Sequence, residues 1–103
     1  MKIRGIFVKN TNGIIEFENV IIQQNNYKTI ATFLGEGFQI RANDIEADEI
    51  IAFPNSEIET NNDINFKKRL YIGIDGDGNF VDCGITIPIL KNYFLIKYGK
   101  SKV

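Results

Sequence analysis

The 103-residue sequence contains no histidine and no tryptophan, a single cysteine (Cys83), and only two prolines (Pro54 and Pro88). Each shortage excludes something. Without histidine, the commonest general acid–base and the commonest metal ligand are both missing. One cysteine allows neither an intramolecular disulfide nor a cysteine metal cluster, and such usage fits a reducing compartment. No apolar run approaches the roughly 20 residues that a membrane helix requires. The basic start, Lys2-Ile3-Arg4, precedes an apolar stretch too short for a secretory signal. These shortages set the expectation of a cytoplasmic protein that does not enter a membrane.

What is present suits a folded chain. The length is that of one domain, and 44% apolar residues can form a core without covalent staples. Leucine is scarce while Ile, Asn and Lys are common, a bias that a source genome imposes without regard to function. The net charge of −1 favours no partner class, but its layout is uneven: residues 1–66 carry five bases against ten acids, residues 67–103 seven against three.

Strand-like patterning dominates. Residues 2–9 and 14–22 read as strands around Asn12-Gly13, the strongest short hairpin signal, because a type I′ turn needs positive φ at both central positions. Residues 27–34 and 38–42 read as a third and fourth strand, separated by Gly35-Glu36-Gly37. Residues 48–53 predict a strand, with a helix over 44–53 as the competitor because Asn43 and Glu46 have capping-box spacing. Residues 57–68 are polar and loop-like. Leu70, Ile72 and Ile74 alternate as a strand. Residues 80–87 give the clearest alternation, with Val81, Cys83, Ile85 and Ile87 inward and Asp82 and Thr86 outward, before Pro88 marks an end or an edge. Residues 92–98 are apolar on both parities, as in a strand covered on both faces or by another chain. The last residues, 98–103, read as a frayed tail. The expected fold is all-β, or β-dominant with one short helix near 43–52: a single small antiparallel barrel or sandwich of about six to eight strands with meander hairpins.

Three surfaces compete for function. The first is the stretch 44–63, where Asp44, Glu46, Asp48, Glu49, Glu57, Glu59 and Asp63 occur without a single Lys or Arg. Carboxylates threaded through an apolar set can dock a basic protein surface, since complementary charge speeds and orders encounter; a solvated face is the plainer reading of the same residues. The second is the basic and aromatic C-terminal half, with Lys67, Lys68, Arg69, Tyr71, Lys91 and Lys97, which suits a single-stranded nucleic-acid groove; lysines that flank strands for solubility account for them equally. The third is the doubly apolar 92–98 segment, which suits homo-oligomerisation.

Catalysis is poorly supplied. Cys83 lies on an inward parity, and Asp48 and Glu49, adjacent on a strand, point to opposite faces rather than forming a dyad. The Asp75-Gly-Asp-Gly-Asn run resembles the start of a calcium loop, but position six is Phe80 instead of glycine and position twelve is Thr86 instead of a bidentate Glu. A hairpin turn accounts for it. The reading is therefore a non-enzymatic protein-binding module (inhibitor, adaptor or assembly component) that uses the acidic face, with no cofactor and no metal. Single-stranded nucleic-acid binding is the second reading and a homo-oligomeric structural protein the third. Small size, AT-biased composition and an empty catalytic inventory also characterise accessory proteins of phages and mobile elements.

Overall fold

In the computed structural model, residues 1–43, 45, 48–55 and 66–99 are described. The chain opens with β1 (Lys2–Thr11) and β2 (Ile14–Gln23), an unbroken antiparallel ladder of ten residue pairs from Lys2↔Gln23 to Thr11↔Ile14. Between them Asn12 and Gly13 take φ values of 53° and 89°, both positive as the two-residue turn requires. The Asn10 side chain fixes the turn by accepting from the Gly13 N–H at 2.9 Å.

A helix, α1 (Tyr27–Leu34), comes next. The third strand expected over residues 27–34 does not form. Asn26 caps the helix by accepting from the Lys28 N–H at 3.0 Å, and Gly35, at φ 88°, closes it by donating to Ala31 O. Ile30 and Leu34, four residues apart, enter the core together, whereas strand geometry would have separated their neighbours onto two faces. Thr29, Ile30 and Thr32 carry strand propensity, but the caps and the buried stripe outweigh it.

The sheet continues through β3 (Gln39–Ala42), β4 (Glu49–Phe53), β5 (Lys68–Ile74) and the two-residue β6 (Phe80–Val81). Its order is β2-β1-β5-β4-β3, with β6 pairing the end of β5, and every pairing is antiparallel. The sheet ends at β2 and β3 and does not close. The chain is thus β-dominant, with hairpin connections around an open antiparallel sheet. Within 43–53 the strand prevails over the competing helix, since residues 49–53 form β4; Asp44, Glu46 and Ala47 lie outside the described residues, as do 56–65 and 100–103 and the loop and tail expectations on them.

The C-terminal expectations need two corrections. Residues 80–87 do not form one strand: pairing stops at Val81, although Cys83 and Ile85 are buried and Asp82 and Thr86 exposed, as the alternation indicated. Residues 92–98 belong to a helix, α2 (Ile87–Tyr98). Pro88 lies in its first turn, where a missing N–H costs nothing, and Gly99 ends it at φ 90° by donating to Leu95 O. Apolar residues on both strand parities are equally the mark of a helix that is apolar nearly all round.

The two helices take opposite faces of the sheet. On one face α1 adds Ile30 and Leu34 to Ile3, Val20, Ile22, Ile50, Leu70 and Ile72. On the other, α2 adds Leu90 and Phe94 to Ile6, Val8, Ile15, Ile51 and Tyr71, with Phe66 and Ile85. The Phe94 ring is the hub, edge-on to Phe17 at 5.3 Å and to Phe66 at 5.9 Å.

Candidate functional site

The turn after β5 and the loop between β6 and α2 meet the start of β4, and a cleft of about 500 Å³ opens between them. Asp48, Glu49, Asp75 and Asp82 contribute to its lining together with Gly73, Gly76 and Gly84, and among the described residues no Lys or Arg lines it. Two of the glycines are there because the walls leave no room for a side chain. A Cβ on Gly73 would run into the backbone carbonyl of Asp82, and one on Gly84 would sit 2.6 Å from Glu49 Oε2.

The four acids play different parts. Glu49 is only 4% exposed. It accepts from the Gly84 N–H through Oε2 and from the Cys83 thiol at 3.6 Å through Oε1, so it ties down the loop. Asp82 accepts from the backbone N–H of Arg4 at 2.8 Å, and the Arg4 guanidinium answers by donating to the carbonyls of Cys83 and Ile85. Asp75 accepts from the N–H groups of Asp77 and Asn79, both at 2.9 Å, and those bonds, Asn79 first, hold its carboxyl below the usual range. Asp48 is exposed. Asp75 therefore keeps its negative charge at neutral pH, while Glu49 shapes the wall.

Cys83 borders this arrangement without the character of a nucleophile. Burial pushes its thiol up to about 11, and the neighbouring Glu49 carboxylate adds to the shift. It stays protonated at neutral pH.

The proposed acidic face is thus divided. Of its seven residues, Asp48 and Glu49 are described; Asp44, Glu46, Glu57, Glu59 and Asp63 lie outside the described residues. Asp48 reaches the surface, but Glu49 turns inward, contrary to its expected place on the face, because its parity on β4 points to the α2 side. Asp75, read in the sequence as a turn residue of a rejected calcium loop, and Asp82, read as an outward position of the 80–87 strand, are the acids that join Asp48. The available signal was the Asp-Gly-rich turn; what was missing was the register that sets β4 beside β5.

The basic and aromatic set does not assemble into a stacking surface. Arg69 and Tyr71 are buried, at 2% and 0% exposure, beneath α2. The Arg69 guanidinium lies 4.2 Å from the centre of the Phe66 ring. Lys68 is on the opposite parity of β5, while Lys91 lies over Phe17 and Lys97 over Tyr93 and Tyr98 on the surface of α2. Lys67 and Lys68 do share a second cleft, of about 530 Å³, with Lys9 and the tip of the β1–β2 hairpin.

Comparison with protein-family models, with curated proteins and with solved structures gives no match. No helix among the described residues is long and apolar enough to cross a membrane.

Proposed function

We propose that the protein is a non-catalytic protein-binding module whose acidic cleft receives a basic segment of a partner, as an inhibitor, adaptor or assembly component does. The observation that carries this reading is the lining itself: among the described residues, four acids, three glycines and no cation around one concave surface. Exposed carboxylates on the rim attract Lys and Arg, and Gly76, where a side chain would project into open space, lets a peptide backbone approach closely. The groups that chemistry would require are engaged elsewhere, since the Cys83 thiol is held protonated and Glu49 is bonded to the loop backbone.

The test is a fluorescence-anisotropy titration with a labelled Lys- and Arg-rich dodecapeptide, beside a Glu-rich control of equal length. Binding of the basic peptide should weaken steeply with salt, because exposed pairs are screened over a Debye length of about 8–10 Å. The exposed Asp48→Lys substitution should weaken it by about tenfold, the equivalent of one lost charge contact of roughly 1.4 kcal/mol. Equal affinity of D48K and the wild-type protein would remove the cleft from consideration.

The groove of Lys9, Lys67 and Lys68 supports nucleic-acid binding as a second reading. An oligothymidylate run in the same assay decides between the two: tight, salt-sensitive oligonucleotide binding with no peptide binding transfers function to the lysine groove.

A further inference from the structure

The edge of the sheet formed by β2 is open in a way that protein sheets usually avoid. It is ten residues long, pairs only with β1 among the described residues, and has an unbroken register. Its sequence, IIEFENVIIQ, contains no Lys, Arg or Pro to repel a further strand. The opposite edge, β3, is four residues long. An edge like β2 is stable in solution when something pairs with it.

The direction of its free hydrogen bonds follows from β1. The Asn10 N–H donates to Lys67 O and the Arg4 carbonyl accepts from the Cys83 N–H, so even-numbered β1 residues bond away from β2 and odd-numbered ones bond toward it. Through the pairs Ile3↔Ile22 to Thr11↔Ile14, the even residues of β2 are then bonded inward. Ile15, Phe17, Asn19, Ile21 and Gln23 present their backbone N–H and C=O outward. Their side chains lie on the α2 face, where Ile21 is 63% exposed.

We propose that a second copy of this chain covers this edge, β2 pairing antiparallel with β2 of its partner about a two-fold axis at Asn19. Three observations select this occupant and this register. With Asn19 on the axis, all five outward residues find outward partners, Asn19 with itself, Phe17 with Ile21 and Ile15 with Gln23. The carboxylates then face apolar residues, Glu16 opposite Ile22 and Glu18 opposite Val20. Centring on Glu18 would set Glu18 against its own copy, and centring on Phe17 would set Glu16 against Glu18. The third observation is α2. It packs over β2, with Phe94 on Phe17 and the Lys91 ammonium 5.8 Å from the same ring. A two-fold axis perpendicular to the sheet keeps both α2 helices on one side, next to each other. Ile89, Leu95 and Ile96 of α2, which are 53%, 36% and 78% exposed, leave apolar helix surface on that same side of the sheet.

The test combines association with distance. Sedimentation equilibrium of the full chain should show a monomer–dimer equilibrium in the micromolar range. The exposed Ile21→Lys substitution, which meets the interface twice, should weaken it by about tenfold or more with unchanged circular dichroism. Nitroxide labels at Ile14→Cys and Gln23→Cys, with Cys83 buried and out of reach, report the register by pulsed electron resonance. At about 3.4 Å per residue, an axis at Asn19 sets the copies about 34 Å apart at position 14 and about 27 Å apart at position 23. An axis at Glu18 reverses that order and overturns the register. A monomer at every concentration, which leaves the edge to a strand of a different protein, overturns the proposal. So does a dimer that I21K leaves intact. The cleft residues lie on other elements, so D48K should not disturb this association.

Discussion

The two faces of the sheet are built on different principles. Under α1 the interior is hydrocarbon and phenyl ring throughout: Ile3, Val20, Ile22, Ile30, Leu34, Leu70, Ile72 and Phe80. Under α2 the apolar residues surround Glu49, Arg69, Tyr71 and Cys83, and the Arg4 guanidinium reaches in from β1. Strand parity makes this division, because Arg4, Glu49, Arg69 and Tyr71 all occupy positions that point to the α2 side. One face is held by volume and the other by pairing and protonation. They should therefore fail under different insults, and the acidic cleft opens beside the face whose shape depends on charge.

Removing volume should produce the largest effect, and it should be indifferent to pH. Ile72 is fully buried in the central strand under α1, and Ile72→Ala should cost about 4 kcal/mol in urea denaturation, within the range for truncating a buried isoleucine. The loss should be equal at pH 5 and pH 9. A strongly pH-dependent loss would mean that the two faces are not separable.

Removing charge should come next. Glu49→Ala strips the Gly84 N–H and the Cys83 thiol of their shared acceptor, and a charged hydrogen bond of this kind contributes about 2–3 kcal/mol. The loop 82–85 should loosen ahead of the sheet. Faster amide exchange at Gly84 and a thiol that reacts with Ellman's reagent below the denaturation midpoint would show this, whereas Ile72→Ala should expose the thiol only on global unfolding. Glu49→Gln, which keeps an acceptor oxygen, should restore most of the protection.

Much of this sheet was legible in the sequence because its signals are local. Asn12-Gly13 specified the first hairpin, and the alternation of Leu70, Ile72 and Ile74 marked the central strand. Both helices were misread for one reason: β-branched and aromatic residues weigh toward strands, and a run that is apolar all round has no period to betray it. The cues that outweigh propensity were nevertheless present, Asn26 and Gly35 bracketing α1 and Pro88 and Gly99 bracketing α2. The cleft was legible only in pieces. Asp48 on one side and Asp75 and Asp82 on the other lie far apart in sequence, and β4–β5 pairing is what joins them; no local pattern encodes that. The inward turn of Glu49 depends on the same pairing.

The smallest effect at neutral pH, and the most specific test of the polar face, belongs to Tyr71. Its hydroxyl is buried beside Arg69 without a hydrogen-bond partner among the described residues, so Tyr71→Phe should change stability at pH 7 by no more than about 0.5 kcal/mol. At high pH the comparison should reverse. Burial pushes the phenol up to about 12 against an ordinary value of 10.0, even though Arg69 pulls the other way. A raised folded-state pKa means that the native state holds the proton more tightly than the unfolded chain. That stabilisation is complete below pH 10 and drains away as the pH rises to 12. Two units correspond to about 2–3 kcal/mol that the wild-type protein loses across this window and Tyr71→Phe keeps. Lysine deprotonation acts on both proteins alike, so the difference between their alkaline denaturation curves isolates the phenol. Parallel curves from pH 10 to 12 would show that the α2 face does not enforce the protonation of Tyr71, and the contrast with the hydrocarbon face would then rest on Glu49 and Arg4 alone.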